Sequence, residues 1–226
     1  MTLKRISMRD QVYEIIKNRI LSREYALGEP INIVHLSKEL GISNTPIREA
    51  LSQLETERLI TINSNQKYHV TDLNEKLIND LCSVVLIHLL GAFKVCRDSG
   101  KMPVLISKLR KAFERQQAMY DASNSNDYVA ASMDFERSFI LAADNPMLEK
   151  TYDVVITLLT LSITYDQISH RERNIEEHRE ILEAIEANDV EKTEELLSQH
   201  YNSVFSTSLA SMASKISLCS SIFLSL

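Results

Sequence analysis

The chain contains little glycine and proline, and it has no tryptophan. Only four Gly and four Pro occur among its 226 residues. Turn-rich β folds depend on these residues at their connections, so the scarcity disfavours an all-β architecture and favours long helices joined by short loops. Hydrophobic residues make up 44% of the chain and charged residues 25%, a composition that excludes intrinsic disorder. The sequence therefore predicts a mainly α-helical globular protein.

Cysteine and long apolar segments are also scarce. Cys82, Cys96 and Cys219 are an odd number at unrelated spacings, which excludes a disulfide framework or a zinc ribbon and favours a reducing compartment. The opening segment, MTLKRISMRD, is charged and has no apolar core, unlike a signal peptide. The longest apolar runs, near Val84–Phe93 and Val154–Ile163, are shorter than the roughly 20 residues that span a bilayer. We therefore expect a cytoplasmic protein with no membrane partner.

The net charge of -6 is unevenly distributed along the chain. Residues 1–72 hold ten basic and nine acidic side chains, a balance of +1, whereas residues 73–226 hold fifteen and twenty-two, a balance of -7. Such asymmetry indicates two modules with different partners. We therefore predict one domain over residues 1–72 and a second over residues 73–226.

The first module has the pattern of a winged helix-turn-helix. Apolar residues at helical spacing predict helices over Val12–Ile20 and Val34–Leu40, and a third that Ser43 or Thr45 can cap. Two β-prone runs, Leu59–Ile62 and Lys67–Val70, then predict a small β-hairpin. In this arrangement the second helix of the helix-turn-helix pair enters the major groove of DNA.

The leading end of that helix carries side chains able to contact DNA. Arg48 can donate two hydrogen bonds to a guanine and Asn44 can bind an adenine, while the Thr45 hydroxyl and nearby backbone N–H groups can hold a phosphate. Two alternatives stay open on spacing alone. Arg48 can instead pair with Glu49 or Glu55 on its own helix, and a three-helix module can serve as a protein-docking adaptor.

The residues of this module resemble a known family. Residues 41–60, GISNTPIREALSQLETERLI, resemble the GntR family of bacterial transcription regulators, which commonly carry LG-[VI]-S-R-T-P-[VI]-R-E-A-L. Residues 27–40, LGEPINIVHLSKEL, resemble the region of the same family that precedes this stretch. The resemblance implies that residues 1–72 bind double-stranded DNA.

Departures from the family pattern reduce the positive charge of the module. Asn44 stands where the family usually has arginine, and Val34 occupies a position that is often basic. The hairpin offers only Lys67 and His69. Fewer phosphate contacts release fewer counterions, so we expect weaker non-specific binding and a shallower salt dependence. The predicted DNA-binding residues are Ser43, Asn44, Thr45, Arg48, Lys67 and His69.

The second module is predicted to be an all-α bundle of six or seven helices. The predicted helices lie at roughly 74–98, 103–122, 127–144, 147–168, 175–187 and 190–213. The tail Ser214–Leu226 has no clear signal. Residues 135–148, FERSFILAADNPML, and 178–201, HREILEAIEANDVEKTEELLSQHY, resemble the FadR-type (FCD) ligand-binding domain. The resemblance implies a domain that binds an effector and forms a dimer.

The same resemblance implies a metal site. In that family an acid and a histidine four residues apart on one helix join two later histidines, and these positions correspond here to Ser132, Glu136, His178 and His200. Glu136, His178 and His200 can hold one divalent ion such as Zn, Ni or Mn. Alternatively, the histidines are polar core residues without a metal. An effector pocket is expected around these four residues and Val85, which replaces a common arginine.

Taken together, these patterns predict a homodimeric DNA-binding regulator, expected to repress, with a palindromic operator and an unidentified small-molecule effector. One alternative is the same dimer with a degenerate pocket and no effector. A metal-dependent enzyme using Glu136, His178 and His200 is a further alternative. No GxGxxG, P-loop, GxSxG or HExxH motif occurs, and we therefore expect the protein not to be an enzyme.

Overall fold

The computed structural model describes the backbone of residues 7–121, 125–163 and 170–223. Side chains are described over the same ranges except at 125, 126, 162, 163 and 210–223, so Cys219 lies outside them. Within this part of the chain there are nine helices and a small three-stranded sheet, which confirms the mainly α fold class. Internal contacts divide the chain into two compact units, Met1–Asn74 and Glu75–Leu226.

The first unit is a winged helix-turn-helix. Its elements are α1 (Met8–Leu21), β1 (Pro30–Ile31), α2 (Ile33–Leu40), α3 (Asn44–Thr56), β2 (Ile60–Ile62) and β3 (Tyr68–Val70). The sheet is antiparallel in the order β1-β3-β2, with Ile31 paired with Tyr68 and Ile62 paired with the same residue from the other side. Strand β1 was not predicted from the sequence, because two residues beginning with proline give no alternation signal.

The core of this unit holds α3 against α1. Ile16 and Ile20 of α1 and Leu51 of α3 are almost completely buried, as helical spacing of apolar residues requires. The turn between α2 and α3 is fixed by Gly41, whose φ of 67° is left-handed and favours glycine. This packing presents the opposite face of α3, with its leading end, to solvent.

The second unit is a bundle of six described helices. They are α4 (Glu75–Asp98), α5 (Met102–Asp121), α6 (Ser125–Ala143), α7 (Pro146–Ile163), α8 (Arg171–Glu186) and α9 (Val190–Phe223). Asn145 accepts hydrogen bonds from the N–H groups of Met147 and Leu148, and Pro146 begins α7, where a missing N–H costs no helical bond. The tail predicted to begin at residue 214 continues α9 as far as residue 223.

Helix α4 lies at the centre of the bundle and contacts α6, α7 and α9. It is long and apolar enough to cross a membrane, with a mean hydropathy of 1.6 over 18 residues, of which 39% are buried. The expectation that the apolar run near Val84–Phe93 is shorter than a membrane-spanning segment was therefore wrong for this helix, since its apolar segment extends beyond that run. Core helices of globular domains pass the same test. Val84 and Ile87 stay exposed on its outer face.

Candidate functional site

The side chains at the leading end of α3 are exposed and form no hydrogen bond or ion pair with other described side chains. Ser43 is the N-cap residue, but its hydroxyl makes no capping hydrogen bond. Asn44, Thr45 and Arg48 are exposed, and their side chains form no hydrogen bond or ion pair within the described residues. Arg48 is therefore not paired with an acid of its own helix, and its guanidinium is available to an external partner.

The hairpin places its two basic residues differently. Lys67 is exposed, and its ammonium group has no partner among the residues that the structure describes. His69 instead lies between strands, where its Nδ1 is 3.2 Å from the Gly28 carbonyl and its Nε2 is 2.9 Å from the Asn63 amide. Both ring nitrogens are thus engaged within the protein, and His69 holds the hairpin to the loop before β1.

In the bundle, the structure brings together the three side chains predicted as metal ligands. Glu136 of α6, His178 of α8 and His200 of α9 are all buried, and each offers one ligand atom within 4.8 Å of the others. His200 Nε2 lies 3.4 Å from Glu136 Oε1. The His178 ring stacks on Phe135, with centroids 4.2 Å apart, which fixes the plane of the imidazole.

A second set of side chains orients these three groups. His178 Nδ1 lies 2.8 Å from Gln116 Oε1, and His200 Nδ1 lies 2.7 Å from Glu177 Oε2, so each Nδ1–H donates to an oxygen. The Tyr201 hydroxyl donates to Glu136 Oε2 at 2.7 Å. His178 Nε2 is buried and has no hydrogen-bond partner. With Nδ1 engaged in each ring, Nε2 is the nitrogen that can bind a shared ligand, which is how partners behind metal-binding histidines act.

Burial and charge change the protonation of the two histidines in opposite directions. Burial lowers the pKa of His178 well below its usual value, and the nearby His200 adds to this effect. Burial also acts to lower the pKa of His200, but hydrogen bonds and charge from Glu136 and Glu177 outweigh it and raise that pKa to about 9. In the absence of a metal, His200 is therefore a cation between two carboxylates, and a metal ion would replace its proton.

A cavity of about 70 Å³ opens beside Glu136, large enough for a few water molecules. Three helices contribute to its wall: Ser132 and Glu136 come from α6, Arg171, Asn174 and Glu177 from α8, and Thr207 from α9. Of the predicted effector residues, Ser132 and Glu136 line this cavity. His178, His200 and Val85 are buried and do not line it.

Asn174 is the centre of a hydrogen-bond network that joins α5, α6 and α8. Its Oδ1 accepts from Gln116 Nε2 at 2.8 Å and from Ser132 Oγ at 3.0 Å. Gln116 also donates to the Tyr128 hydroxyl at 3.1 Å. That hydroxyl in turn donates to the Arg171 carbonyl at 2.9 Å. Ser132, at the position where the family resemblance implied an acid, is thus engaged with Asn174 and does not join the ligand group.

Comparison with known proteins matches both units. Residues 8–70 match the bacterial regulatory proteins of the gntR family, and residues 98–203 match the FCD domain. Together these matches cover most of the chain. The chain belongs to the GntR family. Regulators of this family bind DNA operators and typically act as dimers.

Individual relatives agree with this assignment. The regulator is 28% identical over 200 residues to a probable D-xylose utilization operon transcriptional repressor from Paenarthrobacter nicotinovorans, covering 88% of this chain and 87% of the relative. A GntR-type structure from Rhodococcus sp. RHA1 has a TM-score of 0.72 at 16% identity, covering 89% and 97% of the two chains. Escherichia coli McbR/YncC gives 0.71 at 18% identity, covering 91% and 99%. These likenesses support the fold.

This GntR regulator is a DNA-binding transcription regulator with an FCD domain, and FCD domains can bind metal ions. The residues at its Glu136–His178–His200 group fit such an ion. One carboxylate and two imidazoles are a donor set that zinc and similar ions accept, and the unpartnered, buried Nε2 of His178 needs a ligand.

The side chains that support this group were not predicted from the sequence. Glu177 and Tyr201 are adjacent in sequence to the predicted ligands His178 and His200, and this adjacency was the signal that could have identified them. Gln116 follows Leu105, Leu109 and Ala112 on the buried stripe of α5, where a polar side chain requires partners. Asn174 gave no such signal, because only the tertiary structure places it between α5 and α6.

Proposed function

We propose that this protein is an effector-responsive repressor of the FadR subfamily. Residues 1–72 bind a palindromic operator, and residues 73–226 form a homodimer and bind the effector. The observation that carries the proposal is the exposed leading end of α3, where Arg48 has no partner among the described side chains. An unpaired guanidinium on a rigidly packed helix is suited to bidentate contact with guanine.

Substitution of Arg48 tests the DNA-binding role. A duplex is first selected from a random library with the wild-type protein, and its affinity is then measured by mobility shift. Arg48→Ala is expected to weaken binding about tenfold to a hundredfold, since one bidentate base contact contributes about 1–3 kcal/mol. Arg9→Ala, an exposed arginine of α1 paired with Asp10, is the matched control and should change little. Unchanged affinity of Arg48→Ala would remove this residue from the interface.

We further propose that Glu136, His178 and His200 hold one divalent ion. The support is the orientation of both imidazole rings by Gln116 and Glu177, which engage the Nδ1 atoms and leave each Nε2 as the nitrogen that can bind the ion. When bound, the ion would supply a positive charge and an open coordination position beside the cavity.

Metal analysis after loading with zinc should give one ion per chain in the wild type and none in Glu136→Gln, which keeps the shape and the Tyr201 contact of the side chain. A wild type without metal, and without thermal shift across small organic acids, would favour the degenerate pocket.

The dimer is proposed to form through the outer face of α4 and α7. Val84 and Ile87 of α4 and Met147 and Val154 of α7 are exposed apolar residues on two helices that contact each other. Ile87 and Met147 are 66% and 68% exposed, unusually high for side chains of this type. A second copy presenting the same face would cover them in a two-fold symmetric contact.

Ile87→Glu tests this surface, because burying two like charges across a symmetric contact strongly disfavours association. The variant should sediment as a monomer, while Val104→Glu, on the exposed face of α5, should leave the dimer intact. A dimeric Ile87→Glu protein would place the interface elsewhere.

The repressor role is supported by the relative named as a D-xylose operon repressor. The effector role is supported by the cavity beside Glu136. We propose that the protein acts in the cytoplasm, where its DNA is, without a membrane partner. We also propose that it is not an enzyme, since both carboxylates of the site, Glu136 and Glu177, are held by hydrogen bonds to neighbouring side chains.

A further inference from the structure

Helix α9 is longer than the FCD domain requires. The match to that domain ends at residue 203, whereas α9 continues to Phe223. The additional segment has about 20 residues, which extend roughly 30 Å as an α-helix. The last part of α9 is therefore an addition to the domain.

This end of α9 extends past the two helices against which α9 mainly packs, α4 and α8. Arg173, two residues after the start of α8, donates a hydrogen bond to Thr207, so the later part of α9 lies beyond α8. Arg97 at the end of α4 is 3.9 Å from Glu194 near the start of α9. With 34 residues against the 24 of α4, α9 continues past α4 as well. The excess is roughly 10 Å at about 1.5 Å per residue.

Apolar residues repeat along this segment with the spacing of a coiled coil. The repeat consists of Phe205, Leu209, Met212, Ile216, Cys219 and Phe223, and in the sequence it continues to Leu226. The intervals alternate between four and three residues without a break. A repeat of this kind brings the positions to one face of a helix, which is how two helices pack along a common seam.

The composition of the segment suits contact with an identical helix. Lys215 is the only charged residue after Tyr201, and the positions beside the repeat are mostly serine and alanine. A helix that is solvated on its own usually has a charged face, which this segment lacks. Its flanks also carry no opposed like charges that would reject a second copy. At the start of the repeat, Phe205 and Leu209 are only partly buried within their own chain.

We propose that the end of α9 pairs with the same segment of a second copy as a parallel two-stranded coiled coil. Leu209, Ile216 and Phe223 take the a positions, where a β-branched residue such as Ile216 favours two strands. Phe205, Met212 and Cys219 take the d positions. The inference rests on the proposed homodimer, because a seam of about three heptads is short. It forms between copies already held together, where the effective concentration of the second helix is about millimolar.

Cys219 provides the test, because it lies in the repeat while Cys82 and Cys96 are buried on α4. Two cysteines form a disulfide only when their Cα atoms lie within roughly 7 Å, as they do at opposed seam positions. Full-length protein is treated with diamide, and covalent dimer is followed on non-reducing gels. The wild type should form it at a rate independent of protein concentration, and Cys219→Ser should form none.

Moving the cysteine tests the register. In the Cys219→Ser background, Met212→Cys restores a seam position one heptad earlier, whereas Ser214→Cys and Ser221→Cys place the cysteine on the opposite face of the helix. Met212→Cys should crosslink at least about tenfold faster than either control, since only seam positions bring the two Cα atoms within disulfide range. The two serine substitutions are nearly isosteric and serve as matched controls.

Equal crosslinking rates at the seam and on the opposite face, or a wild type that forms no covalent dimer, would overturn the proposal. Sedimentation of the same preparations in reductant separates this result from a failure of the proposed function. A dimer that does not crosslink through Cys219 would contradict the coiled coil alone. A monomer would contradict the homodimer and the coiled coil together.

Discussion

The two functional regions of this regulator are constructed in opposite ways. At the leading end of α3, Asn44, Thr45 and Arg48 are exposed, and their side chains make no hydrogen bond or ion pair within the described residues. In the bundle, His178 and His200 are buried, and each is oriented by a further side chain. The first region keeps its polar groups hydrated and open to an external partner. The second has already removed them from water.

Because of this difference, a substitution at the leading end of α3 can change binding without changing the free energy of unfolding. A substitution at the buried bundle site changes both. Exposed side chains without partners contribute little to folding, so the residues predicted to contact DNA can be exchanged at little cost to the stability of the domain. A buried polar group that loses its partner costs about 1–3 kcal/mol, so a change at the bundle site alters folding as well as binding. Operator preference can therefore change more easily than the chemistry of the bundle.

The largest expected effect is at Gln116, which connects His178 to Asn174. Gln116→Leu removes the acceptor of the His178 Nδ1–H and a donor to Asn174 in a site without solvent. We expect the free energy of unfolding to fall by about 2–3 kcal/mol in urea denaturation. The neighbouring Gln117 makes an exposed bond to Asp121, and Gln117→Leu should stay within about 0.5 kcal/mol. Equal losses of stability in the two variants would contradict the idea that the buried polar groups of the bundle contribute more to folding than exposed ones.

A smaller effect on the free energy of unfolding is expected when the pH of chelator-treated protein is raised. The pKa of His200 is raised from 6.5 to about 9 in the folded state. Its contribution to stability is therefore complete below about pH 6.5 and is lost as the pH rises through about 9. We expect the free energy of unfolding to decline across this interval.

His200→Gln is the control for that decline. The variant should be less stable than the wild type at pH 6.5 and should show a flatter dependence on pH between 6.5 and 9. A wild-type profile that does not fall across this interval would mean that His200 is not held as a cation between Glu136 and Glu177.

The smallest effect is expected at Lys67, in the exposed hairpin. Lys67→Ala should reduce the slope of log affinity against log salt by about 0.9, the value for one phosphate contact, with the thermal midpoint of unfolding unchanged. Val34→Lys is the converse test, since Val34 is 57% exposed and the added charge should steepen the slope. A lowered thermal midpoint in Lys67→Ala would show that this exposed residue does contribute to folding.

Much of the architecture was predictable from the sequence. The helices of both units, the hairpin and the leading end of α3 follow from local spacing of apolar residues and from caps. The group of Glu136, His178 and His200 was predicted from a family resemblance, and the structure brings its members together. His69 was predicted to contact DNA, a role that stays a prediction, while the structure gives its ring two partners within the protein.

Most helix boundaries and the apolar face of each helix follow from local sequence, because these properties depend on neighbours within a few residues. The contact between Gln116 and His178, and the position of Asn174 beside the cavity, depend instead on how the helices pack. Gln116 and His178 are 62 residues apart along the chain. A hydrogen bond over that separation forms only when helix packing brings the two side chains together, and local sequence carries no record of which partner will be there.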